Sequence, residues 1–187
     1  KIFASILHKR IEQTVDKLLQ ETQFGFRKKK GTADALSAIR RIIDHGEATN
    51  TKTLMVLLDW EKAFDKVDRD ALWTTMKRLD IDEKLIRLTK EIYKAPKFMV
   101  ETEGQKSIWF TQETGIRQGC PFSPYLFLIA MTGMFHDIHR NHDTQIALVQ
   151  HRIPAASFDE IMYADDTICI SADTKAMNKF IQNIEAE

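Results

Sequence analysis

The stretch IMYADDTICIS, residues 161–171, decides the fold because it sets two adjacent acids between two segments that favour β-strands. Its β-branched and apolar residues predict a strand, a two-residue turn at Asp165 and Asp166, and a second strand. Neighbouring like charges repel each other, so the pair is either solvated at the turn or held by a cation. The rest of the sequence has to distinguish these two interpretations.

A third acid follows another strand-like segment. TLMVLLDW, residues 53–60, is a continuous apolar run that ends at Asp59, which is typical of a central strand buried on both faces. A sheet that pairs this strand with the acidic hairpin would bring three carboxylates to one edge. Hard oxygen ligands suit Mg²⁺, and two such ions about 3.5–4 Å apart form the clamp used for phosphoryl transfer. The alternative is that each acid is only a turn residue or a helix cap.

Composition allows a globular domain and leaves several function classes open. Of the 187 residues, 43% are hydrophobic and 29% are charged, and the formal net charge is zero. The charge is unevenly distributed: residues 1–50 hold 10 Lys or Arg against 6 Asp or Glu, whereas residues 151–187 hold 3 against 7. No stretch approaches the roughly 20 apolar residues of a membrane span. Cys120 and Cys169 lack metal-ligand spacing and are interpreted as reduced packing residues.

Helices and strands are interleaved without the regular alternation of parallel βαβ units, which predicts an α+β domain. A hairpin is predicted around Glu103 and Gly104. Helical periodicity and capping residues predict helices over residues 2–19, from Thr32 to Gly46, from Asp68 to about Leu79, over about 82–95, from Ser123 and Pro124 to about His139, and over 173–187.

Four separated stretches together resemble reverse transcriptases, in particular those of non-LTR (LINE-type) retrotransposons. They are QFGFRKKKGTADAL (23–36), LLDWEKAFDKVDRDALW (57–73), TGIRQGCPFSPYLF (114–127) and YADD (163–166), in the order in which the family carries them. YADD alone is a weak signal, whereas four stretches in register over nearly the whole chain are specific. The resemblance implies a polymerase palm, an antiparallel sheet backed by helices, with part of the fingers.

The resemblance also implies a catalytic metal site. The family's palm uses one Asp of its LLD strand and both of its hairpin, which match Asp59, Asp165 and Asp166. These would bind two Mg²⁺ ions, with Mn²⁺ as a possible substitute, and the main-chain carbonyl of Trp60 would add a neutral ligand. One ion would lower the pKa of the primer 3′-hydroxyl, and the other would neutralise charge on the triphosphate and pyrophosphate. Asp59 and Asp165 are expected to be the firmer ligands and Asp166 the looser one.

Nucleotide-binding residues follow from the same resemblance. Phe64, with Ala63 beside it, matches the family's bulky aromatic beneath the sugar, where a ring excludes a ribose 2′-hydroxyl. The alternative is that Phe64 simply packs under a helix. Gln118 matches the family's glutamine beside the incoming nucleotide. Phe64 and the YADD stretch therefore imply DNA synthesis and selection of deoxynucleotides (dNTPs).

Template and primer contacts are implied for Arg27, Arg117, Gly119 and Tyr163, with an RNA template and a DNA primer as partners. The basic loop at 27–30 would follow the RNA backbone in a salt-dependent way, although a plain solvated loop is an equal alternative for it. An exposed loop position is likewise an alternative for Arg117.

The resemblance divides the chain into partial fingers at 1–50 and a palm at 51–187, truncated before the thumb. The first residue is Lys1, and parts that the family uses to hold triphosphate and primer have no counterpart, so these residues alone are expected to have weak or no polymerase activity. Two alternatives stay open: an inactive nucleic-acid-binding remnant of a decayed retroelement, and an intron-encoded (maturase-like) reverse transcriptase. An intracellular location, nuclear or cytoplasmic, is expected for a eukaryotic retrotransposon, and the oligomeric state is left open.

Overall fold

The computed structural model describes residues 1–140, 152–154 and 156–186. The chain divides into two compact units. We call them the helical unit (Lys1–Leu18 and Lys62–Ala130) and the sheet unit (Leu19–Glu61 and Met131–Glu187). The helices are α1 (Ile2–Val15), α2 (Thr32–Thr49), α3 (Ala63–Lys66), α4 (Arg69–Arg78), α5 (Glu83–Ile92), α6 (Ser123–Arg140) and α7 (Thr174–Ala186).

The sheet unit contains a three-stranded antiparallel sheet. Its strands are β1 (Leu54–Leu58), β6 (Glu160–Tyr163) and β7 (Asp166–Ser171), in the order β1-β7-β6. Residues 161–171 therefore form the predicted hairpin, because β6 and β7 pair with each other directly. The prediction of a central strand at 53–60 is wrong for the part of the chain that is described, where β1 pairs with β7 alone and Leu57 is 75% exposed. An unbroken apolar run does not reveal which strand will be the edge.

One apolar cluster holds α2 against the sheet. Its buried members are Ala35, Ile42, Ile153, Ala156, Ile161 and Ile170. α7 covers the sheet as well and buries Met177 and Phe180. Burial of such side chains contributes about 1.5–3 kcal/mol each, so this cluster sets where the strands lie.

The helical unit is organised by capped helices and a hairpin. Asp68 accepts a hydrogen bond from the Ala71 amide at 2.7 Å and begins α4, and Asp82 caps α5 in the same way. The predicted hairpin is also present, because β3 (Glu101–Thr102) pairs with β4 (Gln105–Lys106) around a turn in which Gly104 has φ +79°. The outer pair is β2 (Lys97–Phe98) and β5 (Phe110–Thr111).

Helix ends differ from the predictions by a few residues. Gly31, not Thr32, caps α2, and its amide donates to the Asp34 carboxylate at 2.8 Å. The helix also continues past Gly46 to Thr49 and ends at Asn50, which has φ +51°. A left-handed residue that ends a helix is most often Gly, and Asn is the next choice.

The predicted α+β class is confirmed by this mixture of helices and antiparallel sheet. The division into fingers at 1–50 and palm at 51–187 stays a prediction, since the compact units have other boundaries. Across the described residues, none of the helices has the length and apolar character needed to cross a bilayer.

Buried charges lie on the strand that leads into the acidic turn. The Glu160 carboxylate is 3% exposed and lies 3.0 Å from Nε2 of His139 on α6. Beside it, Asp159 is 1% exposed and is bound by the guanidinium of Arg152. Burial raises the pKa of the Cys169 thiol to about 12, with the two acids adding to the effect. Cys169 is therefore a protonated packing residue, as predicted.

The His139–Glu160 pair makes stability depend on pH. Burial lowers the pKa of His139, but the hydrogen bond and charge of Glu160 outweigh it, so the pKa in the folded protein is raised. A raised folded-state pKa means that the stabilisation is complete below the unfolded-state pKa and is lost as pH rises through the folded-state pKa.

We therefore expect the free energy of unfolding to fall on raising the pH from about 6 to about 9, with His139→Gln removing this dependence. Urea unfolding across that range measures it. His136→Gln replaces an exposed histidine on the same helix and serves as the matched control. An unchanged pH profile in His139→Gln would show that the pair does not titrate.

Candidate active site

The acids at the end of the sheet come from neighbouring strands. Leu58, the last residue of β1, pairs with Thr167 of β7, so Asp59 directly after Leu58 and Asp166 directly before Thr167 lie at the same end of this antiparallel ladder. Asp59, Asp165 and Asp166 are all exposed. The sheet thus brings together the backbone of the three predicted acids, with their side chains open to solvent.

The hairpin turn is shifted by one residue from the prediction. Its two central residues are Ala164 and Asp165, because Asp166 is the first residue of β7 and pairs with Tyr163. Ala164 has φ +58°, a left-handed conformation that costs a non-glycine residue about 1–2 kcal/mol. Surrounding contacts must hold the turn in this shape.

The side chains of the described residues do not converge into a metal centre. No three His, Cys, Asp or Glu side chains in that part of the chain are close enough together to hold an ion. The donor set nevertheless fits a hard divalent cation, since it consists of exposed carboxylate oxygens on adjacent strands.

Trp60 is fixed beside the acids. Its indole Nε1 donates to Oγ1 of Thr167 at 3.0 Å, and Thr167 is 1% exposed. This hydrogen bond links Trp60, which directly follows Asp59, to Thr167, which directly follows Asp166. The backbone that leaves β1 is thereby tied to β7.

A cavity of about 220 Å³ opens next to Asp166 within the sheet unit. Its wall is mainly apolar and combines one face of α2 with all three strands. The lining residues are Thr32, Ala35, Leu36, Ile39, Leu57, Leu58, Ile161, Tyr163, Asp166, Thr167 and Ile168.

Phe64 belongs to the helical unit, where α3 holds it. Its ring stacks on Phe127 of α6, with centroids 5.1 Å apart and planes inclined by 12°. Its carbonyl accepts from the Ile116 amide at 2.8 Å, and the Gly115 amide donates to Val67 at 3.0 Å. The stretch that carries Phe64 is therefore bonded to the loop that carries Gln118.

Gln118 is oriented by an acid that the sequence did not single out. Its Nε2 lies 3.2 Å from both carboxylate oxygens of Asp65. A carboxylate only accepts hydrogen bonds, so the amide nitrogen must face it and the amide oxygen faces the other way. The absence of a side chain at Gly115, which has φ +75°, lets the loop backbone approach Asp65 closely. A Cβ on Gly115 would lie 2.6 Å from the Asp65 Cα, which is too close for a real contact.

Arg69 is a second residue that the sequence did not reveal. Its guanidinium donates to the carbonyls of Gly115 at 2.8 Å and of Gln112 and Thr114 at 3.0 and 3.1 Å. A longer bond of 3.5 Å reaches Tyr93 at the end of α5. One side chain therefore binds several loop carbonyls at once, and it sets the path of the loop towards Gln118.

We expect Arg69→Met to lower the free energy of unfolding by about 2 kcal/mol, because several carbonyls lose a charged donor at once. Arg69→Lys should recover little of it, since an ammonium lacks the planar fork. Lys77→Met, at an exposed position on the same helix, is the control, and chemical denaturation of the three variants is the measurement. Equal losses for Arg69→Met and Lys77→Met would contradict the role of the guanidinium.

Arg117 and Gly119 line a cavity of about 350 Å³ in the helical unit. Both residues are exposed, and Gly119 has φ +74°. The other lining residues include Lys1, Gln118 and Cys120.

Arg27 lies in the sheet unit and binds backbone there. Its Nη1 donates to the carbonyls of Gln20 at 2.8 Å and Gln23 at 3.4 Å. In the same loop, the Lys30 ammonium lies 5.0 Å from the centroid of the Phe24 ring. Part of the charge of the basic loop therefore stabilises the loop itself.

Comparison with known proteins relates the whole chain to one family. Residues 1–187 match the family described as "Reverse transcriptase (RNA-dependent DNA polymerase)". The chain is 25% identical to the retrovirus-related Pol polyprotein of the type-1 retrotransposable element R2 of Nasonia vitripennis, covering 90% of this chain and 16% of the relative. It is 27% identical to the RNA-directed DNA polymerase of the mobile element jockey of Drosophila funebris, covering 90% of this chain and 18% of the relative.

Solved structures show the same fold. A telomerase from Candida albicans, solved with a fragment of telomeric RNA, superposes with a TM-score of 0.66 at 13% identity, covering 98% of this chain and 32% of that one. This confirms the predicted polymerase palm fold, and the R2 and jockey relatives confirm the resemblance to non-LTR retrotransposon enzymes. The chain belongs to the reverse transcriptase (RNA-dependent DNA polymerase) family.

Proposed function

We propose that this chain carries the catalytic residues of an RNA-directed DNA polymerase, which transfers a nucleotide from a dNTP to a primer 3′-hydroxyl. The observation that carries the proposal is the β1–β7 register, in which Asp59 comes directly after Leu58 and Asp166 directly before its partner Thr167, at one end of the sheet. Family membership supports RNA-templated DNA synthesis in general. The chain spans less than a fifth of the relatives named above, so activity of the whole protein belongs to the proposal.

Asp59, Asp165 and Asp166 are the proposed metal ligands, and the carbonyl of Trp60 is a neutral fourth. When bound, two Mg²⁺ ions, or Mn²⁺ in their place, supply Lewis-acid stabilisation of the attacking 3′-oxygen and of the leaving pyrophosphate. The protein itself contributes by holding the metal ligands in fixed positions. The bond from the Trp60 indole to Thr167 keeps the backbone beyond Asp59 next to β7, which supports a fixed spacing of the acids.

Phe64 and Gln118, with Ala63 beside them, are the proposed nucleotide-binding residues. The Phe64 ring stacks on Phe127, and the Phe64 ring itself would exclude a ribose 2′-hydroxyl. Because the amide nitrogen of Gln118 is bound to Asp65, its amide oxygen points away from Asp65 and would accept a hydrogen bond from the nucleotide. Asp65 thus acts as a positioning residue for Gln118.

Template and primer contacts are proposed for Arg27, Arg117, Gly119 and Tyr163. Arg117 and Gly119 are exposed beside one cavity, and Tyr163 lines another next to Asp166. Cationic contacts to phosphates release counterions, so binding of RNA should weaken as salt concentration increases.

Primer extension tests the proposal. A purified protein of the relatives' full length that contains residues 1–187 is given an RNA template, an annealed DNA primer, dNTPs and Mg²⁺. The proposal expects templated extension that EDTA abolishes. Binding of nucleic acid with no extension by this protein would favour the inactive remnant, and extension that persists in EDTA would contradict the proposed metal ligands.

A further inference from the structure

The segment that precedes the basic loop runs alongside the acidic hairpin. The Phe24 amide donates to the Met162 carbonyl at 2.8 Å, and the Met162 amide donates to the Thr22 carbonyl at 2.9 Å. Gln23 and Met162 thereby form a parallel bridge at the outer edge of β6. This segment supports the strand that leads directly into the turn.

The Gln23 side chain reaches the turn itself. Its Oε1 accepts hydrogen bonds from the Gly25 amide at 2.8 Å and the Ala164 amide at 3.1 Å. Both donors are backbone N–H groups, so the oxygen of the Gln23 amide must face them. Gln23 is 1% exposed, which removes competition from water for these bonds.

Gly25 makes room for this arrangement. A Cβ at Gly25 would lie 2.8 Å from the Ala164 Cα, a distance that real Cβ atoms essentially never show. The backbone of residues 23–25 therefore approaches Ala164 more closely than any side chain at position 25 would allow. Ala164 is the residue with φ +58°, and Asp165 follows it directly.

We propose that Gln23 is a positioning residue for the acidic turn: its amide oxygen holds Ala164 in the left-handed conformation that sets the direction of Asp165 and Asp166. One part of this inference, that the turn places metal ligands, rests on the proposed function. The physical reason is that an unfavourable backbone conformation persists only where fixed contacts outweigh its cost, and Gln23 supplies a buried bond at that residue.

The test compares the wild-type chain with Gln23→Met, which keeps the length of the side chain and removes the acceptor. Gln23→Glu restores an oxygen that accepts in either protonation state. Gln20→Met is the matched control, because its Oε1 is buried with no hydrogen-bond partner among the described residues. Should Gln23→Met fail to fold, Gln23→Asn, one methylene too short to reach Ala164, replaces it.

Amide hydrogen exchange of Ala164 reports the contact directly. We expect exchange about tenfold or more faster in Gln23→Met than in the wild type and in Gln20→Met, with protection recovered in Gln23→Glu. A Mn²⁺ titration followed by electron paramagnetic resonance should show about tenfold weaker binding in Gln23→Met than in Gln20→Met, in keeping with residues that orient metal ligands.

Equal Ala164 protection and equal Mn²⁺ affinity in Gln23→Met and Gln20→Met would overturn the inference. A wild-type chain that binds no Mn²⁺ at all would contradict the proposed function. In that case, faster amide exchange of Ala164 in Gln23→Met would still support the hydrogen bond by which Gln23 fixes the turn. Unchanged exchange of Ala164 would overturn that role of Gln23.

Discussion

Replacing Asp165 with Asn is expected to weaken Mn²⁺ binding by more than about 100-fold and to lower primer extension by about 10³-fold. The amide keeps the shape of the side chain but removes the negative charge that would hold the ion. Asp165 is exposed at a hairpin turn, so the substitution should leave the free energy of unfolding nearly unchanged. Mn²⁺ titration and primer extension measure the two effects.

Asp44→Asn is the matched control, because it removes the same charge from an exposed position on α2 in the sheet unit. The proposed ligand order also predicts a graded series in which Asp59→Asn resembles Asp165→Asn and Asp166→Asn is milder. Mn²⁺ affinity in Asp165→Asn equal to that of Asp44→Asn would remove Asp165 from the site.

Replacing Phe64 with Ala is expected to reduce discrimination between dNTPs and ribonucleotides by about 100-fold, the scale on which an apolar wall rejects one added hydroxyl. The ring stacks on Phe127 and is half-buried, so its loss opens the space that a 2′-hydroxyl would need. The ratio of the two nucleotide affinities, each measured within one protein preparation, cancels any difference in the folded fraction.

Two variants distinguish exclusion of the 2′-hydroxyl by the Phe64 ring from a role of that ring in packing alone. Phe64→Tyr keeps a ring at position 64 and should keep the discrimination. Phe127→Leu removes the stacking partner, so it should lose stability while retaining discrimination. If Phe64→Ala selects dNTPs as well as the wild type does, the ring is only a packing residue.

The acidic hairpin could be predicted from the sequence because its information is local. Ile161–Tyr163 and Thr167–Ser171 favour strands whatever surrounds them, and the intervening acids favour a turn. The prediction was one residue off, since Ala164 and not Asp166 occupies the turn. That shift depends on the left-handed Ala164, which contacts at Gln23 and Gly25 support from about 140 residues away.

The edge position of β1 could not be predicted in the same way. Leu54–Leu58 is as apolar as a strand buried on both faces, yet Leu57 is 75% exposed. An apolar run indicates a preference for burial. The number of strands that pair with it is set by the arrangement of the whole sheet.

Long-range hydrogen bonds were likewise hidden from the sequence. Arg69 lies one residue after a helix cap, where periodicity indicates a solvated charge, but three of its partner carbonyls lie more than 40 residues further along the chain. Asp65 and Gln118 are 53 residues apart. The resemblance led to Gln118, and only the structure revealed the acid that orients it.

Mapping bound Mn²⁺ by paramagnetic broadening of amide resonances tests the central claim most directly, namely that the end of the β1–β7 ladder holds a divalent cation. The account predicts that sub-stoichiometric Mn²⁺ first broadens the amides of Asp59, Asp165 and Asp166, and that Asp165→Asn abolishes this pattern. Broadening centred elsewhere, or the same pattern with both Asp59 and Asp165 replaced by Asn, would contradict it.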